Sequence, residues 1–142
     1  MGARILVCGG RTFSDHQMVF AVLDEIAAEQ PVELVIHGDA RGADRHGQMW
    51  AFARGIPEQA FRAKWSETRG LHPATLKRNA SGQLYNPLAG FIRNEEMLRA
   101  CPTHAVAFAG GSGTNDMCKR ILRAIQNGQE IKFVDLRGKV ST

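Results

Sequence analysis

The sequence predicts an α/β fold: a single Rossmann-like domain with a mainly parallel sheet and helices on both faces. Two observations carry this reading. Short β-branched runs alternate with segments of helical periodicity, and three of those runs end in small-residue turns that lead straight into a helix. The 142 residues suit one domain, so residues 1–142 are read as one unit. With 44% hydrophobic and 23% charged residues, the chain is neither wholly disordered, fibrous nor a disulfide-stapled mini-protein. The formal charge of +4 leans towards anionic ligands. Without a basic run it says little about nucleic acid.

The elements follow in order. Ile5-Leu6-Val7-Cys8 reads as a buried parallel strand stopped by Gly9-Gly10. Val19, Val22, Leu23, Ile26 and Ala27 recur at helical spacing, with Ser14 or Asp15 as the cap. Leu34-Val35-Ile36-His37 is a second strand, ended by Gly38. A helix over 43–54 places Ala43, Gly47, Trp50 and Ala51 on one side, and Gln59 to Arg62 is a possible third strand. Residues 63–90 break the rhythm with glycines and prolines, a turn at Asn79-Ala80-Ser81-Gly82, and a basic bias from Lys64, Arg69, Lys77 and Arg78. They form an irregular basic insertion. Rhythm returns with a short helix over 92–100, a strand at His104 to Phe108, a helix marked by Met117, Ile121, Ala124 and Ile125, a stop at Gly128, and a strand at Ile131 to Val134.

Cys8, Cys101 and Cys118 have no CxxC spacing and read as small core residues in a reduced, cytoplasmic setting. No apolar run reaches the ~18 residues of a membrane span. The five histidines show no pairing with carboxylates that suggests a metal, and no cofactor motif is present.

Chemistry concentrates in three turns: Gly9-Gly10-Arg11, then Gly38 to Asp44 with Arg41, Gly42 and Ala43, then Gly110-Gly111-Ser112-Gly113-Thr114. Glycine lets backbone approach a phosphate, and a helix N-terminus supplies free N–H groups with partial positive charge. One such turn is commonly only packing. Three on the carboxyl edge of one sheet favour a ligand pocket. None is a Walker A loop or a standard dinucleotide fingerprint, which demotes nucleoside triphosphate hydrolysis and hydride transfer.

Leu6 to Phe13, His37 to Asp44, Ala89-Gly90-Phe91-Ile92-Arg93-Asn94-Glu95-Glu96-Met97 and Phe108 to Thr114, in this order, resemble the YspA-like, YpsA-related group of the SLOG superfamily. That superfamily also holds the LOG phosphoribohydrolases and the DNA-processing protein DprA. The resemblance implies a Rossmann-like sheet whose glycine turns bind a nucleotide or a nucleotide-derived small molecule. From the dimers of LOG-like relatives it also implies a homo-oligomer. The LOG pattern places a glutamate where this chain has Met117, and Asp116 stands one residue early. Leu71 to Asn86 looks like an added flap.

The predicted ligand contacts are therefore Gly9, Gly10, Arg11, Gly38, Arg41, Gly42, Ala43, Asp44, Arg93, Asn94 and Gly110 to Thr114. Arg93 suits bidentate phosphate binding, its bland alternative being a pair with Glu96. Arg11 binds phosphate or pairs with Asp15 or Asp44. His37 reads as structural, and Trp65 as a base stacker or a core anchor. Three functions stay open. The first is a nucleotide-binding or sensing module. The second is a phosphoribohydrolase-like enzyme in which Arg93 holds the phosphate while Asp116 or Glu96 stabilises charge on the ribose. The third, single-stranded DNA binding, rests on the basic flap and the charge balance alone.

Overall fold

A computed structural model of the chain describes residues 2–138. Its main sheet is built from β1 (Ala3–Cys8), β2 (Val32–His37), β3 (Glu58–Ala60), β6 (His104–Ala107) and β7 (Lys132–Asp135). All pairings are parallel, in the order β3-β2-β1-β6-β7. The helices are α1 (His16–Glu29), α2 (Ala43–Arg54), α3 (Ala89–Arg99) and α4 (Ser112–Gln126). Between β3 and α3 lie a single 3-10 turn and a small antiparallel hairpin, β4 (Lys77–Arg78) and β5 (Leu84–Tyr85). This is the Rossmann-like α/β arrangement expected. Among the described residues, no helix is long and apolar enough to cross a membrane.

The alternation of β1 explains its two-sided burial. Ala3, Ile5 and Val7 join Val19, Leu23 and Ile26 of α1 and Ala43, Trp50 and Ala51 of α2 in one core. Leu6 and Cys8 join Met97 and Leu98 of α3 and Met117, Cys118 and Ile121 of α4 in the other. Two layers of helix thus sandwich the sheet. At the start of α1 it is Asp15, not Ser14, whose side chain accepts the Met18 N–H at 3.1 Å, a cap contributing about 1 kcal/mol.

Some local expectations shift. Ala27 is exposed, because it lies at the margin of the stripe that Val19, Leu23 and Ile26 centre. β3 starts at Glu58, where Val35 N–H donates to the Pro57 carbonyl at 3.0 Å and fixes the register. α3 starts three residues before Ile92, because Ile92 N–H already donates to the Leu88 carbonyl at 3.0 Å and closes the first turn. Cys8 and Cys118 are buried but Cys101 is exposed, carried out of the core by a left-handed turn (φ 61°) after α3. The irregular segment is more ordered than its composition suggests. Its hairpin closes through Asn79, whose Oδ1 accepts the Ser81 and Gln83 N–H groups at 3.0 Å.

Candidate functional site

The strand order turns back on itself between β1 and β6, the position where open α/β sheets bind ligands beyond their carboxyl ends. The turns after these strands are stitched together by Gly10. Its N–H donates to the Ala109 carbonyl at 2.9 Å, while its own carbonyl accepts N–H groups from Phe13 at 3.2 Å and Ala43 at 3.3 Å. All three small-residue turns therefore meet at one residue. Side chains have no room at the seam. A Cβ on Gly10 would lie 3.0 Å from the Gly110 Cα, and one on Gly42, whose φ is +78°, would run into the Gly10 carbonyl.

Above this seam lies a cavity of about 800 Å³, within the size range of small-molecule sites. Gly9, Gly10, Arg11, Asp44, Arg93, Asn94 and Gly110 to Thr114 line it. Arg11 is exposed on its rim. Gly38, Arg41, Gly42 and Ala43 lie outside the lining: Arg41 is exposed, Ala43 is fully buried behind Gly9, and Gly42 forms the N-cap of α2. Gly38 acts from behind, through its backbone.

Arg93 is the centre of the polar wall. Its Nη1 donates to the Gly38 carbonyl at 2.7 Å and its Nε to Asn94 Oδ1 at 3.1 Å. The alternative pairing with Glu96 is not made, although both residues border a second groove: the Arg93 bonds go to Gly38 and Asn94. Among the described residues Nη2 makes no hydrogen bond, which leaves part of the fork for a ligand. Burial lowers the Arg93 pKa from its ordinary range, opposed by the attraction of Asp44. Asn94 is itself buried, and its Nδ2 donates to the Gly113 carbonyl and to Asp116 Oδ2, both at 3.1 Å. It orients Arg93 against the first turn of α4.

Asp44 is 5% exposed, and its Oδ2 accepts the N–H groups of Gly38 at 3.0 Å and Ala40 at 3.3 Å. Burial pushes its pKa up to about 6 despite the nearby Arg93. His37, fully buried, is spent structurally: Nδ1 accepts the Asp39 N–H at 3.0 Å, so Nε2 carries the proton towards Glu58 Oε2 at 2.8 Å.

Asp116 lies outside the cavity lining. Its Oδ2 accepts from Arg120 Nε at 2.8 Å as well as from Asn94, an ion pair along α4. Met117, the next residue, is buried and lines the cavity, with Cys8 and Met97 beside it. Among the described lining residues, Asp44 is the sole carboxylate. α4 opens at Gly111 with no side-chain cap. Its first N–H groups, from Ser112 onward, border the cavity with the positive end of the helix dipole.

The aromatic wall escaped the sequence reading except at Trp65. Phe13, Trp65 and Phe91 all line the cavity. Phe13 packs on Phe108 with ring centroids 5.1 Å apart, and Trp65 packs over Gly90. The signal for Phe13 and Phe91 was their place inside the glycine blocks, next to Arg11 and Arg93.

Comparison with known proteins agrees with this geometry. A family model described as the YspA, cpYpsA-related SLOG family matches residues 3–67. The Gene 61 protein of Mycobacterium phage D29 is 33% identical over 109 residues, covering 76% of this chain and 78% of that protein. DNA processing protein A (DprA) of Streptococcus pneumoniae shares the fold, with a TM-score of 0.60 at 18% identity. The likeness covers 97% of this chain and spans 60% of the length of that one. The glycine seam, the parallel sheet and these matches together place the chain in the YspA, cpYpsA-related SLOG family.

Proposed function

We propose that this protein binds a nucleotide or nucleotide-derived ligand across the β1–β6 edge and acts as a sensor or binding module. One observation carries the reading: the part-free Arg93 guanidinium and the uncapped N-terminus of α4 border one cavity with three aromatic rings. A phosphate suits the first pair, since both offer N–H donors and positive charge. A base suits the second, because any base can stack on an aromatic face. Family membership supports the same ligand class.

Binding without turnover is favoured over N-glycosidic hydrolysis. Met117 puts a thioether where a charge-stabilising carboxylate would stand, and Asp116 is committed to Arg120 and Asn94. The test is calorimetric titration of AMP and ADP into the wild type and Arg93→Ala. Saturable binding by the wild type that the variant loses supports the reading. A folded wild type that binds neither nucleotide overturns it.

A further inference from the structure

A second groove, of about 260 Å³, opens on the other side of Arg93. Arg62, Lys64, Arg69, Asn86 and Arg93 line it, opposed by Glu67 and Glu96. Four cations against two carboxylates leave it net positive. Arg62 is committed to Asp39, which accepts from its Nη2 at 2.9 Å. Lys64 and Arg69 have no ion-pair partner among the described residues, although two carboxylates border the same groove.

A buried amide adds an independent sign. Asn86 is 5% exposed, and its Oδ1 accepts the Leu88 N–H at 3.0 Å, which fixes the orientation of the amide. Its Nδ2 is left as a donor with no protein partner among the described residues, open to solvent where Asn86 lines the groove. An amide donor beside unpaired cations is suited to an acceptor that comes with an anionic ligand. Its backbone is firmly held, since Asn86 N–H donates to the Trp65 carbonyl at 2.7 Å. That bond also closes the flap into a loop whose two ends, Trp65 and Pro87, form part of the wall of the larger cavity.

We propose that this groove is a second anion subsite, joined to the nucleotide cavity through Arg93, and that the ligand carries at least two phosphates on its nucleoside. The proximal phosphate lies between Arg93 and α4, and the distal one passes Arg93 to Lys64, Arg69 and the Asn86 amide. This rests on the nucleotide reading above and narrows its ligand class to nucleoside diphosphates and longer phosphate chains.

The experiment compares AMP with ADP by calorimetry at ~0.15 M salt, in the wild type, in Arg93→Ala and in the double variant Lys64→Gln/Arg69→Gln. Both exchanged positions are exposed, so the double variant keeps the fold, as its circular dichroism checks. The expected result is ADP binding about tenfold or more tighter than AMP to the wild type, the scale of charge-assisted phosphate contacts. In the double variant ADP falls to the level of AMP, and AMP itself changes by less than about twofold, because exposed charges at a distance are screened. Equal binding of AMP and ADP by the wild type overturns the subsite and leaves the nucleotide reading standing. So does an equal loss of both ligands in the double variant. Binding of neither by the wild type overturns both.

Discussion

Arg93 Nη1 reaches 55 positions back along the chain to the Gly38 carbonyl, at 2.7 Å. That bond ties α3 to the end of β2 behind the cavity wall. It explains why position 38 is glycine although it does not line the cavity: a Cβ there would run into Arg93 Nη1 and lie 2.9 Å from Asp44 Oδ2.

Gly38→Ala is therefore expected to act through Arg93. The guanidinium is the mobile end of a side chain and yields before the backbone does. Stability should fall by about 1 kcal/mol, the low end for overpacking, while AMP affinity drops by roughly tenfold with the displaced phosphate ligand. Thermal denaturation and calorimetry read the two effects separately. An affinity equal to wild type would show that Arg93 does not hold the ligand.

Gly111→Val tests the opposite kind of position. Nothing lies within 4 Å of a Cβ built there, and a φ of −105° suits a side chain. The fold should be preserved to within about 1 kcal/mol. AMP binding should weaken by more than about tenfold, because the branched side chain covers the free N–H groups of α4.

Asp44→Asn has a pH signature. With its folded pKa raised from 3.8 to about 6, Asp44 binds its proton more tightly folded than unfolded. Its contribution to stability is thus fully present below about pH 4 and is lost as pH rises to about 6. Asparagine mimics the protonated form and can still accept the Gly38 and Ala40 N–H groups. At pH 8 the variant should be more stable by roughly 1–3 kcal/mol, since each pKa unit corresponds to about 1.4 kcal/mol. It should also lose the slope between pH 4 and 6. Urea melts across that range check it, and a variant less stable at pH 8 refutes the assignment.

Asn94→Ala removes a buried amide that joins Arg93, Gly113 and Asp116. Losing the buried amide and its three part-buried hydrogen bonds should cost about 1–3 kcal/mol. The loss of AMP affinity should be smaller than in Arg93→Ala, because Asn94 only orients the guanidinium.

Release of free base from a panel of nucleoside monophosphates should be negligible for the wild type. The missing carboxylate at position 117 removes a preorganised charge of a kind that commonly contributes about 10²–10³-fold. Chromatography of long incubations decides the point. Robust release abolished by both Arg93→Ala and Asp116→Asn would restore the hydrolase.

What the sequence determined alone was local. Helical spacing and flanking glycines delimit α2 at Ala43–Arg54, and the β-branched run ending at Gly9 marks β1. The glycine blocks announced where backbone must come close to backbone or to a ligand. These features depend on neighbours within a turn or two of chain, so composition and periodicity carry them. The tertiary structure decided the rest. Strand order put the turns of β1 and β6 side by side, a choice set by burying both faces of the sheet rather than by any local pattern. Between Asp116 and Met117, one residue's rotation about α4 decided which side chain entered the cavity and which met Arg120. Glu96 went to the neighbouring groove by the same rotation on α3. The link from Arg93 to Gly38 was invisible for the same reason: it joins residues that only the packing of α3 against the sheet brings within reach.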